Sequence, residues 1–122
     1  MDDTYFFDTY AIIEIIKGNE AYQRYKNASI ILTIFNIAEL HYALLREFSP
    51  QIAETLTKQY AQFIIEVDVE IIKEANKFKL KNKEKKYSIA DCIGYIVANR
   101  LGLKFLTGDQ GFKGLSGVEF VK

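Results

Sequence analysis

Short runs of consecutive apolar residues alternate along this chain with longer segments whose apolar residues recur every three or four positions. Tyr5-Phe6-Phe7 ends at Asp8 and reads as a buried strand. Ala11, Ile12, Ile15 and Ile16 follow at helical spacing, and Gly18-Asn19 stops that helix. A short helix is expected around 20–26. Ser29-Ile30-Ile31-Leu32-Thr33 reads as the second strand. Ile34, Ile37, Ala38, His41, Leu44, Leu45 and Phe48 then form a helical stripe ending before Pro50, and another helix is expected over 51–63. Ile64-Ile65-Glu66-Val67 is a third, shorter strand. Residues 69–81 read as a helix, as does the segment from Ser88 to Leu101. Leu103-Lys104-Phe105-Leu106 and Val118-Glu119-Phe120-Val121 supply the last two strands. Strands separated by helices form right-handed crossovers, so the pattern predicts an α/β fold with a mostly parallel sheet covered on both faces. Periodicity leaves the strand order open.

The 122 residues match one ordinary domain. Hydrophobic residues make up 49% of the chain, with 9 Phe and 8 Tyr, which is enough for a packed core and excludes extensive disorder. Pro50 is the only proline and there is no Pro/Gly/Ser-rich linker, so a single domain over residues 1–122 is expected. Charges interrupt every apolar run well before the ~18 residues of a membrane span. Met1-Asp2-Asp3 is acidic where a secretory signal is basic, and Cys92 is the only cysteine. A cytoplasmic protein with no membrane association is therefore expected. Sixteen basic residues balance sixteen acidic ones, so net charge does not announce a nucleic-acid partner. Locally, however, residues 70–86 hold seven lysines against three glutamates.

Four acids stand out by position. Asp8 and Asp109 follow the first and fourth strands, at the edge where ligands gather in open α/β sheets. Asp91 is the only charged residue between Lys86 and Arg100, in a helix that is apolar nearly all round. A carboxylate buried there must be paired, protonated, metal-bound or open to a cleft. Ser88-Ile89-Ala90-Asp91 also fits a capping box, which accounts for Asp91 without any ligand. Glu39 lies off the apolar stripe, on a narrow polar face with Asn36, Ala43 and Arg46, and considered alone reads as solvated. Gathered at one sheet edge, the four acids would repel one another unless a cation joined them. Oxygen donors without paired His or Cys suit Mg²⁺ or Mn²⁺. An ion held in this way can activate water for attack on a phosphodiester.

Phe7-Asp8-Thr9 with its following helix, Asn36-Ile37-Ala38-Glu39-Leu40, Ser88-Ile89-Ala90-Asp91-Cys92-Ile93 and Leu106-Thr107-Gly108-Asp109-Gln110-Gly111-Phe112 occur in this order. In them the chain resembles the PIN-domain family, and within it the VapC toxin nucleases, over nearly its whole length. The resemblance implies a three-layer α/β/α fold with a five-stranded sheet of order 3-2-1-4-5. It also implies a divalent-metal endoribonuclease with Asp8, Glu39, Asp91 and Asp109 as catalytic and metal-binding acids. Thr107 matches the family's small hydroxyl residue near the metal, Thr9 follows the first acid as in many family members, and Asn36 stands where many relatives have Ser or Thr. An RNA substrate, a homodimer and a small antitoxin partner are implied as well.

Lys81, Lys83, Lys85 and Lys86 lie just upstream of Asp91 and are candidate RNA-backbone contacts, although a solvated helix end explains them equally. His41 on the apolar stripe and Cys92 in the buried helix read as packing residues. Glu14 reads as solvent-facing or as flanking the site. Two other functions fit the pattern: a housekeeping nuclease of RNA processing or decay, and a non-catalytic Mg²⁺-binding receiver-like domain. A receiver wants an acceptor Asp after the third strand, where Asp68 stands, and paired acids after the first. Here Asp8 is followed by Thr9.

Overall fold

The computed structural model describes residues 3–122. Four strands, β1 (Thr4–Phe7), β2 (Ser29–Ile31), β3 (Lys104–Thr107) and β4 (Val118–Phe120), form one parallel sheet of order β2-β1-β3-β4. Five helices surround it: α1 (Thr9–Lys17), α2 (Ile34–Glu47), α3 (Pro50–Ala61), α4 (Val69–Lys81) and α5 (Ile89–Leu101). A two-turn 3₁₀ helix occupies Glu20–Tyr25, and single 3₁₀ turns occupy Lys83–Lys85 and Gln110–Phe112. No helix among the described residues is long and apolar enough to cross a membrane.

The expected five-strand sheet is corrected to four. Leu32 and Ile64 form one isolated parallel bridge in place of the strand expected at 64–67. The cause lies in its neighbour. Thr33 leaves the edge of β2 to cap α2, so no ladder remains beyond Leu32 for a longer strand to join. The bridge still lies outside β2, and the outer-edge position in the expected 3-2-1-4-5 order is kept.

Strand alternation distributes the core between the two faces of the sheet. Phe7 and Leu106 point to one side and pack with Ile12, Leu40 and Leu44 from α1 and α2. Phe6 and Phe105 point to the other and pack with Ile93, Val97 and Phe112. Fully burying such a side chain stabilises the fold by roughly 1.5–3 kcal/mol. The Phe105 and Phe112 rings, 4.9 Å apart, and the stacked rings of Phe112 and Tyr87, 4.2 Å apart, tie the turn after β3 to the start of α5.

The stripe expected along α2 is rotated in the structure. Leu40 and Leu44 are buried and Ile37 packs beside them, whereas Ile34, Leu45 and Phe48 are largely exposed. Asn36, expected on a solvated polar face, is instead buried. Its side chain completes the capping box with Thr33, and satisfying those groups makes the burial tolerable.

Helix α5 lies close against the sheet at Gly94. A Cβ there would stand 2.6 Å from Phe6 Cε1 and 3.0 Å from Phe105 Cε1. Both rings are fully buried and have nowhere to retreat. Gly94→Ala should therefore cost about 1–3 kcal/mol through overpacking. A urea unfolding curve measures this, and an unshifted midpoint would contradict the packing argument.

Candidate active site

The parallel strands send β1 and β3 out of the sheet on the same side. Asp8 follows β1 directly and is the N-cap of α1, its Oδ1 accepting from Thr9 N–H at 2.8 Å. Thr107, the last residue of β3, donates through Oγ1 to Asp8 Oδ2 at 2.7 Å. The same Thr107 Oγ1 accepts from Asp109 N–H at 3.0 Å, and Asp109 Oδ1 accepts from Gly111 N–H at 3.0 Å. One buried threonine thus orients two acids.

Asp91 occupies the third position of α5, and the expected capping box is present. Its Oδ2 accepts from Ser88 N–H at 2.9 Å, and its own N–H donates to Ser88 Oγ at 3.0 Å. Glu39 reaches the site from α2, with Oε1 accepting from Thr9 Oγ1 at 3.0 Å. Asn36 Nδ2 donates to that hydroxyl at 3.2 Å, which aims the hydroxyl proton at Glu39. Asn36, Thr9 and Glu39 therefore form a continuous chain.

The four acids line one cavity of about 340 Å³, together with Thr9, Tyr10, Gln110 and Lys122. Thr107 and Asn36 stand behind this lining and act through Asp8, Asp109 and Thr9. None of Lys81, Lys83, Lys85 and Lys86 lines it. Lys83 and Lys86 border a separate hollow with Lys79, Leu80 and Tyr87. Asp68 caps α4 and also lies outside the acidic cavity. His41 and Cys92 are absent from its walls, as expected. Glu14 flanks an adjoining groove of about 450 Å³ between α1 and α2 that shares Thr9, Tyr10 and Glu39 with the acidic cavity. Sequence reasoning did not single out Lys122 or Gln110. Neither lies in an apolar stretch, so no local pattern marks them.

Asp8 is almost wholly buried. Burial holds its carboxyl well above the ordinary range, the Asp91 and Glu39 charges adding to the effect and the Thr107 and Thr9 hydrogen bonds opposing it. Burial likewise pushes Asp91 up to about 6; the Ser88 hydrogen bonds oppose this, and Glu39 and Asp109 raise it further. The site favours protons or a cation over four bare charges.

Carboxylates without imidazole or thiolate form an oxygen donor set suited to Mg²⁺ or Mn²⁺. Among the described residues, no three Asp, Glu, His or Cys side chains stand close enough to enclose an ion as they are. Asp91, Asp109 and Glu39 each commit one oxygen to a local hydrogen bond and keep the other free of protein donors among the described residues. An ion that retains several waters of its own, as Mg²⁺ does, fits such an open arrangement.

Comparison with known proteins agrees with the fold. The PIN domain family profile matches residues 5–118, and the chain belongs to that family. No curated protein sequence matches. Among solved structures, the chain is similar to a toxin–antitoxin complex from Klebsiella pneumoniae, with a TM-score of 0.71 at 19% identity, covering 94% of this chain and 95% of that one. It is also similar to DNA-bound VapBC from Salmonella typhimurium, with a TM-score of 0.68 at 16% identity and coverage of 98% and 97%. A third is VapBC2 from Rickettsia felis bound to a promoter DNA fragment, with a TM-score of 0.67 at 15% identity and coverage of 98% and 99%. Family membership sets the receiver-like reading aside.

The raised pKa values predict how metal-free stability depends on pH. An acid raised on folding stabilises the protein fully below its ordinary value of 3.8, and that stability is lost as pH climbs through the folded value, about 6 for Asp91. Melting of the metal-free protein should therefore fall across this window, and Mg²⁺ should recover stability above it. Asp8→Asn should raise the Tm at pH 8 in EDTA by roughly 3 °C or more, with the gap closing near pH 4. Parallel melting curves for the two proteins at all pH values would refute the electrostatic account.

Proposed function

We propose that residues 1–122 are a single nuclease domain, a metal-dependent endoribonuclease that hydrolyses RNA phosphodiester bonds as the toxin of a VapBC-type pair. The observation that carries this reading is the meeting of Asp8, Glu39, Asp91 and Asp109 in one open cavity at the strand ends. The toxin role draws on the similarity of the fold to toxin–antitoxin and VapBC complexes.

In this reading Asp8, Asp91, Asp109 and Glu39 hold Mg²⁺ or Mn²⁺. A divalent ion supplies water activation and stabilises charge developing on the phosphate. The chain's own residues hold the acids ready. Thr107 fixes the deep carboxylate of Asp8 and the backbone that presents Asp109. Asn36 and Thr9 steer Glu39, leaving its second oxygen to orient the attacking water. Ser88 locks one oxygen of Asp91 and leaves the other free of protein donors among the described residues. Such preorganisation spares reorganisation during the reaction.

A homodimer and a small antitoxin complete the proposal. Ile34, Leu45, Phe48 and Ile52 leave apolar surface uncovered on α2 and α3, which supports association with protein partners. A basic antitoxin side chain would be drawn to the acidic cavity. The exposed lysines Lys81, Lys83, Lys85 and Lys86 would contribute long-range attraction of RNA rather than contacts within the cavity.

The test is cleavage of a mixed RNA pool in Mg²⁺ or Mn²⁺ by the protein and by its Asp8→Asn and Asp91→Asn variants. Both substitutions preserve side-chain shape and capping ability. Each should lower the cleavage rate by about a hundredfold or more, and EDTA should stop the unaltered protein. Equal cleavage by all three proteins would reject the assigned site.

A further inference from the structure

Lys122 is the only cationic side chain among the residues lining the acidic cavity. Its placement follows from a built contact. Val121 N–H donates to Thr107 O at 2.9 Å, and Tyr22 Oη donates to Val121 O at 2.5 Å. Val121 is thus held on both sides immediately before Lys122. Gly108 makes this approach possible, since a Cβ there would stand 2.5 Å from Val121 O and collide with the Tyr10 ring. The Lys122 side chain then runs over Tyr10, with Nζ 5.5 Å from the ring centroid and 3.5 Å from Gly108 O.

The ammonium is poorly satisfied by the protein. Among the described residues it makes no ion pair with any carboxylate, although four acids share its cavity. Its one hydrogen bond is long and goes to a neutral carbonyl. An exposed ammonium gains little from closing on an acid, so the side chain keeps its reach over Tyr10. This one stands at the rim with donors to spare.

Charge balance gives those donors a use. One divalent cation neutralises half the charge of four carboxylates, and an RNA phosphate brings a further negative charge. Building on the nuclease reading, we propose that Lys122 is a substrate-binding residue whose ammonium holds a non-bridging oxygen of the RNA phosphate presented to the four acids. Tyr10 and the clamped Val121 backbone fix where that phosphate can sit. The contact is to backbone, so it should be indifferent to base sequence.

Lys122→Met and Lys122→Arg test this. Binding of a fluorescein-labelled, mixed-sequence single-stranded 20-mer RNA is followed by anisotropy in EDTA across a KCl series. Steady-state cleavage in Mg²⁺ is measured in parallel. Lys122→Met should weaken binding about fivefold to tenfold at low salt and flatten the log-affinity against log-salt slope by about 0.7, one phosphate contact on a single strand. KM should rise by a similar factor with kcat within about twofold, because the contact serves ground state and transition state alike. Lys122→Arg should restore both. The residue is exposed, so folding is not at risk. Wild-type binding and salt slope in Lys122→Met, with cleavage still dependent on Asp91, would overturn the assignment and leave the nuclease reading intact. A wild-type protein that neither binds nor cuts RNA would overturn both.

Discussion

A carboxylate buried at the end of β1 organises this protein. Asp8 is nearly inaccessible, and burying a charge is among the most costly features a small domain can carry. Two hydrogen bonds soften the cost, one from the first amide of α1 and one from the Thr107 hydroxyl at the end of β3. Burial nevertheless outweighs them, and the carboxyl stays well above its ordinary pKa. The two bonds also define the architecture at this edge. They fix where α1 begins and how β1 and β3 end relative to each other. Through Thr107 they fix where the Asp109 backbone lies.

The other acids follow the same economy of design. Asp91 caps α5 with one oxygen, and Asp109 caps the turn after β3 with one oxygen. Glu39 is tied through Thr9, whose amide serves Asp8 and whose hydroxyl serves Glu39. Capping and site formation therefore coexist at Ser88–Asp91. The cap immobilises one oxygen and so aims the other. Structural hydrogen bonds carry the positioning that a catalytic constellation needs, and the electrostatic strain is left for a cation to relieve.

The short continuous apolar runs and the helical stripes made the layered α/β arrangement legible in sequence, because a strand covered on both faces is apolar throughout and a helix face repeats every 3.6 residues. Asp8, Asp91 and Asp109 were legible because charge is conspicuous beside apolar runs. Three features were not. The strand at 64–67 depends on whether its neighbour offers an edge, and Thr33 removes that edge by capping α2. The exposure of Ile34, Leu45 and Phe48 depends on the rotation of α2 against α1, which a stripe that is apolar over a wide arc leaves undetermined. Asn36 looked solvated because its neighbours on the helix face are polar. The Thr33–Asn36 spacing nonetheless carried a capping-box signal that pointed to the buried role.

Depth divides the site into two parts with different duties. Asp8 and Thr107 lie at the buried floor, where little water screens their interactions, so Asp8 feels the charges of Asp91 and Glu39 strongly. Glu39, Asp109 and Lys122 stand nearer the rim, more open to solvent. A floor of carboxylates alone would attract a cation but repel a polyanion such as RNA. A rim with one unneutralised ammonium offsets that repulsion, and it does so through packing rather than an ion pair. Gly108 admits the Val121 backbone, Tyr22 and Thr107 clamp it, and the lysine that follows is left facing the acids without touching them. In the proposed nuclease, a Lys122 closed on Asp109 or Glu39 would neutralise a ligand of the cation and lose its own capacity to bind phosphate. On the proposed reading, the separation that keeps the lysine unpaired would let one small cavity accept both a divalent cation and a polyanion.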